Sequence, residues 1–320
     1  MKVLQLVTSP RPFFEQQVSV LEKRGVDCTV LGLPGEYRGE SGRTPLDYAR
    51  FYPTVLSELR SAEYDLVHAN YGLTAPFALA QPVRPVVVTL WGTDLMSEQE
   101  WLRTVSRYGA RHADATIAPS PIMSQRLELD HELIPFGVDT ELFSPIPKAQ
   151  AREHVGWDSE RQIVLFPYDT SRSVKDFPRA RRLVDRLDAD VELRTIDGLD
   201  YEEMPYYMNA SDVLLVTSKR ESGPMVVKEA AACNLPIVST DVGFVGETIE
   251  GLPNCFVSDS DRELELGLTA VLNDGRRSTG RERIDGLSLE SMGDRLVALY
   301  ERLLEPTDPT RRQRGISRGV

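Results

Sequence analysis

Two glutamates, Glu221 and Glu229, flank a short turn whose residue types suit the binding of a phosphorylated sugar. The turn follows an apolar run at 213–216 that predicts a buried parallel strand, and the alanine-rich stretch after it predicts a helix. Such a helix start attracts an anion, and nearby carboxylates can accept hydrogen bonds from sugar hydroxyls. We therefore predict a diphosphate site formed by Ser222, Gly223, Pro224, Met225 and Val226. Taken alone, the two glutamates also fit solvated charges on a surface turn.

Two cations, Arg172 and Lys175, occupy a second predicted strand-to-helix turn, which follows the apolar residues 163–166. Two positive charges in such a turn can neutralise a diphosphate leaving group. In a parallel sheet this turn would lie opposite Glu221, and this placement favours a binding site over an ordinary solvated turn.

Three further candidates follow predicted strands, at the edge where parallel sheets bind ligands. His68 ends the apolar run at 66–69, and Gly92 and Asp94 come directly after the run at 86–90. We predict that all three border a ligand cleft. A satisfied buried histidine, and a cap of the following segment for Asp94, are the alternatives.

Residues 217–238 resemble the donor-site signature of glycosyltransferase family 4, in which two glutamates with seven residues between them occur in the pattern S-x-x-E-G-x-x-x-x-x-x-E-A-x-A-x-x-x-P-V-V. The segment at 133–145 also resembles the family's interdomain turn, Pro-Asn-Gly-Val-Asp followed by Phe-x-Pro. The signature residues that match are Ser218, Glu221, Glu229, Ala230, Ala232, Pro236, Ile237 and Val238.

The resemblance implies an α/β protein of the GT-B architecture, with two Rossmann-like domains whose parallel sheets face each other across a cleft. It implies retaining transfer of a hexose from a nucleoside diphosphate sugar to the hydroxyl of a glycan, lipid-linked or small-molecule acceptor, without a cofactor. Lys175 and Arg172 would bind the diphosphate, Glu221 the donor sugar and Glu229 the ribose. Gly92, Asp94 and His68 would lie on the acceptor side of the cleft. Because the leaving phosphate takes the acceptor proton in the mechanism proposed for the family, no side-chain base is demanded.

Several positions depart from the family pattern. Trp91 replaces a histidine of the family pattern, Phe136 replaces an asparagine, and Phe244 and Ser222 each replace a glycine. The loop at 8–12 also lacks the glycines that are usual in the family. The missing first-domain glycines leave open a non-catalytic nucleotide-sugar-binding or partner subunit. A GT-B nucleotide-sugar epimerase is the other alternative, and the loss of the histidine at Trp91 weakens it because an epimerase needs titratable groups at the sugar.

The order of predicted elements divides the chain into two α/β domains. We expect an N-terminal acceptor domain at 1–148, a donor domain at 149–288 and a helix at 289–304 that crosses back to the first domain. We also expect a mobile loop at 32–45 and a disordered tail at 305–320.

Composition narrows the class of protein. A net charge of −12 over 320 residues argues against a nucleic-acid partner. Three scattered cysteines, and two D-x-D triplets at 188–190 and 259–261 without a supporting context, predict no metal site. With no apolar run long enough to span a bilayer and no signal pattern, we expect a cytoplasmic protein. A basic helix face could contact the inner membrane peripherally, or simply be solvated, through Arg103, Arg107 and Arg111.

Overall fold

The computed structural model describes residues 1–34, 45–158, 160–187, 190–196 and 198–305. Most of the loop expected at 32–45, and the tail expected at 305–320 beyond its first residue, lie outside these ranges.

The first sheet has six strands in the order β2-β1-β3-β4-β5-β6, and every adjacent pair is parallel. Its strands are β1 (Lys2–Val7), β2 (Asp27–Gly32), β3 (Leu66–Asn70), β4 (Val86–Thr89), β5 (Ala115–Ala118) and β6 (Glu132–Leu133). Its helices are α1 (Pro12–Lys23), α2 (Pro45–Ser61), α3 (Ala75–Leu79), α4 (Thr93–Met96), α5 (Glu100–His112) and α6 (Pro121–Leu127). Strands β3 and β4 are buried throughout, which explains their continuous apolar runs.

The second sheet has five parallel strands in the order β11-β10-β9-β7-β8. Its strands are β7 (Gln162–Phe166), β8 (Val191–Thr195), β9 (Val213–Val216), β10 (Ile237–Ser239) and β11 (Cys255–Val257). Its helices are α7 (Lys148–Val155), α8 (Phe177–Val184), α9 (Met204–Ala210), α10 (Met225–Ala232), α11 (Val245–Ile249), α12 (Asp261–Asp274) and α13 (Arg281–Ile284). Together the two sheets confirm the expected Rossmann-like fold class.

The last helix, α14 (Leu289–Leu304), packs against the first sheet and not the second. Arg24, which caps α1, donates from Nε to Asp294 Oδ1 at 2.7 Å, and Tyr300 is fully buried beside β3. A bridge between Val138 and Ser288 holds the outgoing and returning segments side by side. Two chain segments therefore join the domains at one place.

From the sequence, Pro224 suits the first position of the predicted helix, and Asn234 suits a left-handed conformation at its end. The structure differs at Pro224. Pro224 precedes the helix as its N-cap, with φ −70° and ψ 108°, and its carbonyl accepts from Val227 N at 3.1 Å. An N-cap keeps an extended backbone while its carbonyl begins the helix, so α10 starts at Met225. At the other end Asn234 has a φ of 56°, the left-handed conformation that the sequence predicts.

Candidate functional site

Lys175 and Glu221 meet at the carboxyl edge of the second sheet. The Lys175 ammonium forms an ion pair with Glu221 Oε1, which also accepts from Ser218 Oγ at 2.8 Å. The ammonium lies 3.9 Å from the centre of the Tyr168 ring, and the lysine side chain is only 6% exposed. Burial lowers the pKa of Lys175, and the nearby Glu221 carboxylate opposes that shift. The pair places one fixed cation beside one fixed carboxylate.

Glu229 lies inside α10 and is 3% exposed. Its Oε1 accepts a hydrogen bond from the Tyr201 hydroxyl at 2.7 Å. Burial raises the pKa of Glu229 to about 7, while the Tyr201 hydrogen bond and Lys228 pull it down. This carboxylate can therefore change charge near neutral pH.

A pocket of about 520 Å³, which we call the Tyr168 pocket, lies next to these two pairs. Tyr168 and Tyr201, the partners of Lys175 and Glu229, both line it. Arg172 lines it from the loop after β7, and Pro12 closes it from the first domain. Of the predicted cations and carboxylates, Arg172 lines the pocket directly, whereas Lys175 and Glu229 lie behind Tyr168 and Tyr201.

The residues of the turn before α10 face different surroundings. Ser222 lies against the first domain, where its Oγ donates to the Trp91 carbonyl at 3.3 Å. Gly223 lies against the loop after β10, because a Cβ at this position would come within 2.3 Å of the Phe244 ring. Met225 is half-buried, and Val226 packs against both cores of the second domain. The Val226 side chain therefore takes part in packing within the second domain.

The acceptor-side candidates are placed unequally. Gly92 lies at the cleft, where a Cβ would come within 2.3 Å of Ser222 Cβ. Asp94 is fully buried, and its carboxylate accepts from the backbone N–H groups of Gly72, Trp91 and Gly92 at 2.7–3.1 Å. It organises the loop after β4, as the capping alternative anticipates.

His68 is buried between β3 and α14. Nδ1 lies 2.6 Å from the Tyr300 hydroxyl and Nε2 lies 2.7 Å from Thr89 Oγ1, so both ring nitrogens have partners. Burial lowers the pKa of His68 to about 3. These contacts give His68 a structural place in the first domain, and an acceptor role for it gains no support.

Replacement of Gly92 by alanine tests the approach of the two domains. We expect Gly92→Ala to lower turnover by at least about tenfold, because the new methyl group collides with Ser222 at a φ of 118°. Steady-state rates of Gly92→Ala and of Gly92→Ala/Ser222→Gly check this, and partial recovery in the double variant is expected. Gly25→Ala, another left-handed position with open space around it, is the control for backbone strain. A Gly92→Ala variant as active as the parent would contradict the close approach.

Lys228 is a buried cation that the sequence analysis does not single out. It is 1% exposed, its Nζ donates to the Phe136 carbonyl at 2.6 Å, and it lies 4.5 Å from the centre of the Phe244 ring. Burial lowers the pKa of Lys228 to about 7. It therefore joins the two domains at an energetic cost.

Replacing Lys228 by methionine should stabilise the protein in a pH-dependent way. The folded state holds its proton less tightly than the unfolded chain, so the penalty is complete below pH 7 and disappears as the pH rises toward 10.5. The Phe136 carbonyl loses its hydrogen-bond partner in this variant, and this offsets part of the gain in stability. We expect the free energy of unfolding to rise by about 1–3 kcal/mol at neutral pH. Denaturant unfolding at neutral and alkaline pH measures the difference, with the exposed Lys219→Met as control. An equal effect at both pH values would contradict the shifted titration.

Sequence reasoning misses two tyrosines, Tyr168 and Tyr201. Each follows a strand of the second sheet, β7 and β8, so the rule that ligands bind beyond the carboxyl ends of parallel strands could have identified them.

The structure describes all of the acidic triplet at 259–261 but only Asp190 of the triplet at 188–190. Asp261 accepts from Arg179 Nε at 2.7 Å. Among the described residues no group of three His, Cys, Asp or Glu side chains could hold a metal ion.

Nothing yet tests a membrane contact by α5. Arg107 and Arg111 are exposed, but Arg103 donates from Nη1 to the Ser97 carbonyl at 2.9 Å. Within the described ranges, no helix combines the length and apolar character needed to cross a bilayer. Peripheral contact stays a prediction.

Two family models match this chain. The model described as "Glycosyltransferase Family 4" matches residues 13–142, and the model described as "Glycosyl transferases group 1" matches residues 174–284. The first match spans β2 to β6 of the first sheet, and the second spans β8 to β11 of the second sheet.

Relatives and solved structures agree with these matches. The N-acetyl-alpha-D-glucosaminyl L-malate synthase of Bacillus anthracis is 22% identical over 76% of this chain and 73% of its own length. Sucrose-phosphate synthase from Thermosynechococcus elongatus superposes with a TM-score of 0.76 at 18% identity, over 95% of this chain and 99% of that one. HepE from Anabaena, solved in complex with UDP and glucose, has a TM-score of 0.73 at 17% identity over 95% and 100%. At these identities the two structures show the fold, which is GT-B.

Proposed function

We propose that this chain, which belongs to glycosyltransferase family 4, moves a hexose from a nucleoside diphosphate sugar to an acceptor hydroxyl with retention of configuration. The observation that carries the proposal is the arrangement around the Tyr168 pocket. Two tyrosines line this pocket: Tyr168, whose ring contacts the Lys175 ammonium of the Lys175–Glu221 pair, and Tyr201, which donates to Glu229.

The diphosphate would lie at the start of α10, near Lys175 and Arg172. Positive charge fixed at this place stabilises the leaving group as the glycosidic bond breaks, and a buried ammonium does so more strongly than a solvated one. Glu221 would accept hydrogen bonds from donor-sugar hydroxyls while it holds the Lys175 ammonium in position. Because these cations supply the charge, we expect turnover to survive chelation of metal ions by EDTA.

The nucleoside would occupy the Tyr168 pocket. Tyr201 lines this pocket and donates to Glu229, so a ribose there could place its hydroxyls near the Glu229 carboxylate. The structural neighbour HepE was solved with UDP and glucose, which makes UDP-glucose the first donor to try.

Release of nucleoside diphosphate from a panel of UDP-, GDP- and ADP-sugars tests the proposal, with high salt included and Lys175→Ala and Glu221→Ala as variants. We expect one donor to be consumed by the parent and by neither variant. Absence of turnover, together with tight donor binding that Glu229→Ala abolishes, would contradict catalysis and favour a binding subunit. For the active donor, proton NMR of the product should show the anomeric configuration of the donor.

A further inference from the structure

Four aromatic side chains from separate parts of the sequence converge beside the turn before α10. Phe13 stacks edge-on against Trp91 with ring centres 4.8 Å apart, and it lies 4.7 Å from Phe136. These three residues and Phe244 line one pocket of about 120 Å³, which we call the aromatic pocket. Trp91, Phe136 and Phe244 are also positions where the sequence departs from the family pattern. Departures that are scattered along the chain thus form one surface.

The aromatic pocket adjoins the donor turn. Ser222, Gly223 and Met225 line it, whereas the Tyr168 pocket is lined by the partners of Lys175 and Glu229. With a nucleoside in the Tyr168 pocket, the aromatic pocket remains for the molecule that attacks the donor sugar.

A second pocket of about 280 Å³ continues from the aromatic pocket toward the surface, and we call it the proline pocket. Both pockets are lined by Pro119, Lys228 and Phe244, so they adjoin. Its other lining residues are the apolar Pro121, Leu133, Pro135 and Leu287 and the polar Glu247, Thr248 and Arg283. Glu247 and Arg283 carry opposite charges, so this pair favours neither an anion nor a cation, and the rest of the added lining is mostly apolar.

The polar groups of the aromatic pocket restrict what it can bind. None of the described residues that line it is acidic, and Lys228 in its wall disfavours a cation. The Lys228 ammonium is already engaged by the Phe136 carbonyl and the Phe244 ring and is 1% exposed, so it is poorly placed to receive an anion. The Trp91 indole nitrogen is buried and has no hydrogen-bond partner among the described residues, so it can donate to one oxygen of a bound molecule.

We propose that the aromatic and proline pockets hold an uncharged aryl or alkyl group of the acceptor, so that this chain glycosylates hydroxyl compounds with an apolar portion. The inference rests on the proposed transferase function and deepens it by naming the acceptor class. The aromatic walls supply affinity through apolar contact, and the Trp91 N–H orients the polar end toward the turn.

Competition between matched acceptors tests the proposal. With the active donor, we expect kcat/KM for phenyl β-D-glucoside to exceed that for methyl β-D-glucoside by about tenfold or more. In Phe136→Asn and Phe244→Gly, which restore the family residues, this ratio should fall to within about threefold of unity. A ratio within one preparation is insensitive to loss of folded protein. Phe256→Leu replaces a partly exposed phenylalanine that lines neither pocket and should keep the parent ratio.

Other outcomes separate this inference from the proposed function. Donor hydrolysis by water reports the transferase site alone, so hydrolysis with a ratio near one in the parent would overturn the acceptor class and leave the transferase standing. Preference for glucose 6-phosphate over both glucosides would overturn it in favour of an anionic acceptor. If no donor turns over, calorimetric binding of the glucosides in the presence of UDP still decides. Tighter phenyl binding that Phe136→Asn removes supports the pocket, and equal binding overturns it.

Discussion

Replacement of Lys175 by methionine should lower kcat by about 10²–10³-fold and change the donor KM much less. The ammonium acts on charge that develops as the diphosphate departs, so its removal affects the transition state more than the bound donor. Steady-state kinetics with the active donor measures both constants.

The same replacement leaves the Glu221 carboxylate, which is only 15% exposed, without its cation, and loss of stability must be separated from loss of catalysis. We expect Lys175→Met/Glu221→Gln to regain much of the lost thermal stability but none of the activity. Lys219→Met is the matched control, because the Lys219 side chain is 60% exposed. Its ammonium forms only a long ion pair, 3.7 Å from the Asp176 carboxylate. A kcat within threefold of the parent in Lys175→Met would contradict the assigned role.

Replacement of Glu229 by glutamine should raise the donor KM by about 10–100-fold with a smaller change in kcat. The carboxylate accepts more strongly from ribose hydroxyls than an amide oxygen does, because charged acceptors form the stronger hydrogen bonds.

The effect should depend on pH. Burial raises the pKa of Glu229 to about 7 in the free protein, so the carboxylate that binds hydroxyls is populated above that pH and lost below it. Donor affinity in the parent should therefore fall by up to about tenfold per pH unit below 7, and it should be nearly independent of pH in Glu229→Gln. Glu202→Gln, an exposed glutamate beside Tyr201, is the control. A pH profile that Glu229→Gln leaves unaltered would assign the titration to another group.

The donor turn could be predicted from sequence because its signals are local. The strand, the turn residues, the alanine-rich helix and the left-handed Asn234 all fall within residues 213–238. Local signals also place α14 at Leu289–Leu304, as predicted.

The partners of the site residues could not be predicted in the same way. Tyr201 is 28 residues from Glu229 and Lys175 is 46 residues from Glu221, so their contacts depend on the order of strands in the second sheet. The residues of the aromatic pocket are still farther apart in the sequence. Phe13, Trp91 and Phe136 belong to the first domain, and Phe244 belongs to the second. In the sequence Trp91, Phe136 and Phe244 appear only as isolated departures from the family pattern, Phe13 carries no signal of its own, and the fold alone brings the four together.

A crystal structure with the nucleoside diphosphate of the active donor tests the central claim most directly. The account predicts the diphosphate at the start of α10 within hydrogen-bond distance of Lys175, the ribose hydroxyls on Glu229 and the base in the Tyr168 pocket. A nucleotide bound elsewhere, or bound there without contact to Lys175 and Glu229, would contradict it.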